Sequence, residues 1–398
     1  MALSIPELPT FDPFSMGHSA TALPFPFDRD ERHVASWFYL ARAGVHRATC
    51  ALTRTRKNVV MPSYHHGVEV EAVKQAGAKI SFYRVDRNMQ IDVEHAISQA
   101  VATNAAIIYV THYVGFAQPI AELRAWCDAH EVALIEDCAL ALFSRDERGR
   151  WLGSLGDAAI FCLYKTLPVP HGGLLVTPSS WSDEDEAALE PAPVWSTVRH
   201  LGGLGLAHLA LRVPPVGAIF RKISRRLSRR VDRVVPNVQT GTMRIRPGDL
   251  TRAASPLIPL LLARTDVSQV IARRRRNFRR LAEALADDFP LIGFPLRPGV
   301  CPLFLPVRVA DKEDLHRALH AHGVYSVDFW SSGDDTCDLS LFPEVAQLRR
   351  EVLELPCHQS LTDEDVDRMA HIVKQLALHA DRAPATGTLD RHAHRRAV

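Results

Sequence analysis

The sequence has no C-x-x-C pair, no apolar run long enough to cross a bilayer, and no strong net charge. Its seven cysteines (Cys50, Cys127, Cys138, Cys162, Cys301, Cys337 and Cys357) are scattered and odd in number. That pattern argues against a disulfide framework and a zinc knuckle, assigns no metal site, and fits a reducing compartment. The first residues, Met1 to Ser19, lack a basic segment followed by an apolar core, so no secretory signal is read there. Without a bilayer-length run, the expected location is the cytoplasm. A net charge of +2 gives no general attraction to nucleic acid. The basic stretch 221–233 has no interleaved aromatics of the kind that stack on single-stranded bases.

What is present is the composition of an ordinary globular protein, with 47% hydrophobic and 23% charged residues in 398. That length suits two domains, or a large domain with a satellite. Residues 1–30 are rich in Pro and Phe without periodicity and read as a surface arm. Residues 31–265 make a large α/β domain, 266–380 a linking helix with a small C-terminal α+β unit, and 381–398 a polar, aperiodic tail expected to be disordered.

Within the large domain the pattern from Glu31 to Thr53 predicts a helix with Trp37, Leu40, Val45 and Leu52 on its apolar side. Then strands (Asn58–Pro62, Lys79–Val85, Ala105–His112, Val132–Asp137) alternate with helices (Gly67–Gly77, Val93–Ala102, Ala121–His130). Strands apolar on both faces, alternating with helices, predict a mostly parallel sheet covered on both sides. Ligands of such sheets bind outside the carboxyl ends of the strands. Asp137, His112 and the segment Pro62–His66 all fall there.

An apolar and basic insert, about 181–246, breaks the rhythm. It opens with Asp183–Glu186, continues through the apolar Leu201–Phe220, and ends in arginines at helical spacing (Arg225, Arg226, Arg229, Arg230, Arg233). The simpler reading is a helix packed on the body or on a second subunit. The alternative is weak contact of 201–233 with anionic lipid. The helix Val267–Asp288 is predicted to bury Ile271, Phe278, Leu281 and Leu285 and to turn its arginines to solvent or to a dimer partner.

Chemistry concentrates in Ala133–Thr177. An apolar strand ends in Asp137, and 28 residues later Lys165 follows a second apolar strand and precedes a Gly-Gly pair. An acid at a strand end and an enclosed lysine are what pyridoxal phosphate chemistry needs. The lysine makes the Schiff base, and the acid keeps the pyridine nitrogen protonated. Enclosure would lower the lysine's pKa and make it nucleophilic.

Strand–Glu-Asp, then Gly-Ser-Leu-Gly-Asp, then apolar strand–Lys–loop–Gly-Gly resembles the DegT/DnrJ/EryC1/StrS group of pyridoxal-phosphate aminotransferases. Pro62–Ala78, Thr111–Leu123 and Leu355–Met369 are similar to further segments of that family, in the same order. The resemblance covers about 35–375. It implies the aspartate-aminotransferase fold (fold type I), with a large α/β domain and a small C-terminal domain. It also implies a homodimer with shared active sites and pyridoxal 5'-phosphate as cofactor. Carried over by motif, Lys165 would be the Schiff-base lysine and acid/base, and Asp137 the partner of the pyridine nitrogen. His66 would stack on the ring, and His112 would contact the phenolic oxygen or the substrate. Ala43-Gly44-Val45 stand where the family has the phosphate-binding Ser-Gly-Thr, with Arg42 beside them as a source of charge. Cys162 stands where a phosphate-binding serine is common. Two of these have competing readings: a solvent-exposed helix N-terminal histidine for His66, a hydrogen-bonded core histidine for His112.

The chain departs from the family in several places. Leu140 replaces an expected glutamine, the run from Asp157 to Lys165 is two residues short, and of the Asn-x-Arg-Met segment only Met243 remains. The expected function is an aminotransferase that moves an amino group from an amino acid, glutamate by family precedent, to a small-molecule keto acceptor. Family precedent for the acceptor is a nucleotide-linked keto-sugar in antibiotic or surface-polysaccharide synthesis. The alternatives are a noncatalytic binding or scaffold protein on the same fold, and another pyridoxal-phosphate reaction such as elimination or decarboxylation.

Overall fold

The computed structural model describes residues 4–12, 23–28, 32–181, 189–213, 244–246, 248–328 and 330–380. The acidic run 183–186, the arginine-rich stretch 221–233, Met243 and the tail 381–398 lie outside them.

Seven strands form one sheet: β1 (His33–Phe38), β2 (Asn58–Pro62), β3 (Lys79–Tyr83), β4 (Ile107–Thr111), β5 (Ala133–Asp137), β6 (Ala158–Cys162) and β7 (Gly173–Pro178). Their spatial order is β1-β7-β6-β5-β4-β2-β3. The pairs within β3-β2-β4-β5-β6 are parallel, and β7 runs antiparallel to both of its neighbours. The mostly parallel α/β sheet expected from the alternation is therefore present.

One prediction fails at the start. The segment 31–53 is not one helix: β1 comes first, and α1 (Ala41–Leu52) follows after a break. Trp37 and Phe38 are β-formers, and their backbone pairs with β7, Phe38 opposite Gly173. Sheet pairing across 135 residues overrode a local helical pattern that could not register it.

The two sheet faces are packed separately. Alternate residues of the central strands point to opposite sides. Ile107, Tyr109 and Ile135 join a cluster with Ala43, Val45, Val70 and Val73 of α1 and α2 (Val68–Gln75). Ile108, Val110 and Leu134 join another cluster with Ala96, Ala100, Leu123 and Cys127 of α3 (Val93–Thr103) and α4 (Ile120–His130). That second cluster runs on without interruption into Phe304, Leu305, Leu353 and Leu355 of the C-terminal antiparallel pair β8 (Phe304–Arg308) and β9 (Val352–Pro356).

Helix starts follow the sequence where an acid is available. Asp92, Asp266 and Asp311 each accept a hydrogen bond from the backbone N–H three residues on, which satisfies one orphan donor per helix. No side chain caps α1.

The helix Val267–Leu285 buries Phe278, Leu281 and Leu285 as expected, but not all its arginines face outward. Arg274 is fully buried, and its guanidinium donates to the carbonyls of Pro302, Leu303 and Thr166. Three carbonyl acceptors offset the desolvation of one cation, a tertiary arrangement that helical spacing cannot reveal.

Of the insert, Val194–Arg212 forms a helix, α6. Tyr39 donates to Ser196 at 2.8 Å, the His171 ring lies 3.1 Å from Thr197 Oγ1, and Arg212 donates to Ser360 O at 2.8 Å. It thus packs on the body, while Val194, Trp195 and Val198 stay exposed. No helix among the described residues is long and apolar enough to cross a membrane.

Candidate active site

A cavity of about 330 Å³ opens at the carboxyl ends of β4, β5 and β6. Asp137, Lys165, His66, Cys162 and Val45 line it, with Arg42, Glu69, Thr111, Leu140 and Tyr164. Trp330, Phe304 and Val327 of the C-terminal region and Glu7 and Leu8 of the N-terminal segment also contribute to its wall. Residues from eight separate stretches of sequence converge here.

Lys165 sits in a single helical turn, α5 (Leu163–Thr166), and not in an open loop. The turn is fixed from both ends. Leu163 N–H donates to Gly172 O at 2.9 Å, and Thr166 O accepts from Arg274 and from Gln359, each at 3.0 Å. The following Gly-Gly pair has a steric role. A Cβ on Gly173 would come within 2.4 Å of the Ala41 backbone, so only glycine lets β7 start against the first turn of α1.

Asp137 ends β5, nearly buried. Tyr109 Oη donates to its Oδ2 at 2.8 Å and Ala139 N–H to its Oδ1 at 2.9 Å. Burial, and then the neighbouring Glu69 carboxylate, push its pKa up to about 6, although those two hydrogen bonds and Lys165 pull the other way. Glu69 is itself buried, which raises its pKa, and its Oε1 accepts from His66 N–H at 2.8 Å. Two coupled acids in one cavity hold their negative charge uneasily, and a cation between the cavity walls would relieve them.

His66 is half-buried in the cavity wall, so the solvent-exposed reading does not describe it. Burial, then Lys165 and Arg42, lower its pKa to about 4, so at neutral pH its ring is uncharged and offers a flat face. Arg42, in the first turn of α1, lies buried with Nη1 donating to Arg244 O at 3.0 Å. Its guanidinium and the uncapped N-terminus of α1 put positive potential at one end of the cavity. Val45 reaches the lining. Ala43 and Gly44 do not: Gly44 packs α1 on the sheet, where a Cβ would lie 3.2 Å from Leu175. The Cys162 thiol, raised by burial, bonds to the Tyr164 side chain and to Lys165 N–H.

His112 is not in the lining. Its Nδ1 accepts from Gln118 N–H at 3.1 Å, so Nε2–H donates to Glu136 Oε2 at 3.0 Å. Both side chains are fully buried on the sheet face opposite the cavity. The core-histidine reading describes His112. The same geometry explains the Gly-Ser-Leu-Gly-Asp motif. N–H groups of Gly153, Leu155 and Gly156 close on the Glu136 carboxylate at 2.8, 2.7 and 2.6 Å, while Asp157 accepts from Leu134 N–H and Arg124. The motif is a carboxylate cage. His112, Glu136 and Cys138 have atoms close enough to share a cation, but the histidine and glutamate are already consumed by this cage.

Sequence reasoning passed over Tyr109, Thr111, Glu69 and Trp330. Period-two alternation from Asp137 would have found the first two, because Thr111 is its register partner on β4. Nothing local marks Glu69 or Trp330.

Comparisons with known proteins agree with the order of motifs. Residues 43–192 match the DegT/DnrJ/EryC1/StrS aminotransferase family. A GDP-perosamine synthase of Vibrio cholerae is 30% identical over 139 residues, which is 34% of this chain and 37% of that protein. The matched stretch thus spans little more than a third of that relative. Among solved structures, DesI in the presence of its TDP-sugar product superimposes with a TM-score of 0.60 at 21% identity, over 87% of this chain and 81% of that one. The GDP-4-keto-6-deoxy-D-mannose-3-dehydratase of E. coli with bound hydrated PLP gives 0.58 at 15%, over 85% and 87%. The fold is the aspartate-aminotransferase type.

Proposed function

We propose that the chain is a pyridoxal-phosphate aminotransferase acting on a small keto acceptor. The observation that carries this is the convergence of Asp137 and Lys165 in one cavity whose wall also includes Arg42 and the first turn of α1. The cavity's chemistry fits the cofactor at each end. The paired acids Asp137 and Glu69 suit a ring nitrogen that must stay protonated. Arg42 and the first turn of α1 suit a phosphate, although the hydroxyls of the family's Ser-Gly-Thr are absent from Ala43, Gly44 and Val45. Cys162 holds Tyr164 and the Lys165 backbone, and so shapes the turn that presents the lysine.

When bound, pyridoxal phosphate supplies an electron sink for the bond broken at the amino-bearing carbon. The chain's part is then to orient and to move protons. Asp137 keeps a proton at the ring nitrogen through a charge-assisted hydrogen bond. His66, neutral, covers one ring face without adding charge. Lys165 would hold the group covalently and would move a proton at the substrate carbon, for which its short turn keeps it in reach. Leu8, Phe304, Val327 and Trp330 exclude water from that end of the cavity.

For the acceptor we propose a nucleotide-linked keto-sugar, with glutamate as donor. The name of the GDP-perosamine synthase and the TDP-sugar product of DesI support this choice. A homodimer with active sites at the interface is the matching assembly, and the exposed apolar face of α6 supports it over contact with lipid.

Reconstitution tests the reading. Purified protein incubated with pyridoxal phosphate should acquire the visible absorption of lysine-bound cofactor, and should consume glutamate only when a keto-sugar nucleotide is present. Protein that stays colourless would overturn it. Elimination or dehydration without an amino donor would replace transamination by another reaction of the same cofactor.

A further inference from the structure

Thr111 ends β4 on the cavity face. Tyr109 and Ile107, two and four residues before it, lie in the α1/α2-side cluster, whereas the neighbouring His112 faces the opposite side. Its register partner across the parallel ladder is Asp137. Adjacent strands are about 4.8 Å apart, so Thr111 stands one strand-width from the acid. The side chain lines the cavity and is 1% exposed, and its Oγ1 has no hydrogen-bond partner among the described residues.

Other polar groups around it are engaged: Asp137 with Tyr109 and Ala139, Glu69 with His66 N–H, Arg42 with Arg244 O. A buried hydroxyl with no partner destabilises the fold. An apolar residue of equal shape would avoid that cost, so the hydroxyl invites a ligand-based explanation. Leu140, in the same lining, offers no hydrogen bond.

We propose that Thr111 is a cofactor-binding residue whose hydroxyl donates to the ring oxygen of pyridoxal phosphate. This rests on the cofactor reading given above. With Asp137 holding the ring nitrogen, the ring oxygen lies two carbons along the same edge, a few ångströms away. It is the anionic acceptor of that edge, and a rotation about χ1 exchanges the threonine's methyl and hydroxyl groups to meet it. A valine here would fit the cavity equally well and leave that oxygen without this donor.

The test is a binding titration of cofactor-stripped protein, read by fluorescence and visible absorption. Wild type, Thr111→Val and Thr111→Ser are each titrated with pyridoxal 5'-phosphate and with its 3-deoxy analogue, which lacks the ring oxygen. Thr111→Val is expected to bind pyridoxal phosphate about tenfold more weakly, equivalent to ~1.4 kcal/mol. Thr111→Ser should stay within about twofold of wild type, and wild type and Thr111→Val should bind the 3-deoxy analogue alike. The stripped Thr111→Val protein should melt no lower than wild type, because its unsatisfied group is gone. Equal affinity of wild type and Thr111→Val for pyridoxal phosphate would overturn the assignment, as would an equal loss with the analogue. If Thr111→Val does not fold, the serine variant decides through its own ratio between the two ligands, which must match wild type. Wild type that binds neither ligand would instead remove the cofactor reading itself, and the Thr111 assignment with it.

Discussion

Glu136 and Asp137 are consecutive, buried and both acidic, yet they are held in opposite ways. Burial works against the charge of each. At Glu136 that is outweighed by His112 and by backbone N–H groups of the Gly153–Gly156 turn, so its pKa falls below the ordinary carboxylate value. Asp137, with two hydrogen bonds and Glu69 nearby, rises to about 6. Glu136 has little capacity left for anything else, and Asp137 keeps acceptor capacity facing a cavity. The strand's alternation puts the finished network on one side of the sheet and the unfinished one on the other. The unfinished side is where a ligand gains most by binding.

The largest test of this contrast is Lys165→Ala, which should remove about 10⁴ of the rate, ~5.5 kcal/mol, leave the fold unchanged by circular dichroism, and abolish the visible absorption. Glu136→Ala should do the reverse. It strands His112 and three backbone donors, so urea denaturation should show a loss of ~4 kcal/mol, with cofactor affinity of the surviving folded protein little changed. A large affinity change with normal stability would erase the distinction between the two faces.

Asp137→Asn sharpens it through pH. Asp137 binds its proton more tightly folded than unfolded, since about 6 exceeds its ordinary 3.8. Its contribution to stability is therefore full at low pH and is lost as pH rises from about 4 through about 6. Cofactor-free Asp137→Asn should then be more stable than wild type by ~2–3 kcal/mol at pH 7, with the advantage gone by pH 4, while cofactor binding weakens by about 10². The buried histidines run the other way. His65, His171 and His358 are lowered to about 3 and His66 to about 4, chiefly by burial. Their stabilisation is present above pH 6.5 and is lost as pH falls, so the chain as a whole should unfold on acidification. The smallest effect is expected from Arg274→Met, ~2 kcal/mol in denaturation, with a lower rate at unchanged cofactor affinity because the Thr166 end of the lysine's turn loosens.

Much of this was legible before any coordinates. The strands β2 to β5, the helices between them and the pairing of an acid with a lysine follow from periodicity, caps and spacing. The misreadings share a cause. The helix assigned to 31–53 missed β1 because β1 exists only by pairing with β7. His112 was named because histidine at a strand end is a reactive type, although its neighbour Thr111, the register partner of Asp137, is the residue that lines the cavity. The arginines of Val267–Leu285 were turned outward by default, and Arg274 turns in because carbonyls from Thr166, Pro302 and Leu303 meet there.

By itself the sequence determined the alternating α/β order, the end of the sheet where the cavity opens, and Asp137 and Lys165 as the acid and the lysine that line it. These depend on local periodicity and on residue chemistry, which the order of residues carries directly. Tertiary structure alone decided that Glu136 is caged and Asp137 is not, that Glu69, Trp330 and Glu7 reach the cavity, and that a buried arginine steadies the lysine's turn. Those facts rest on contacts between residues tens to hundreds of positions apart, and burial and hydrogen-bond partners acquire values only when such contacts close.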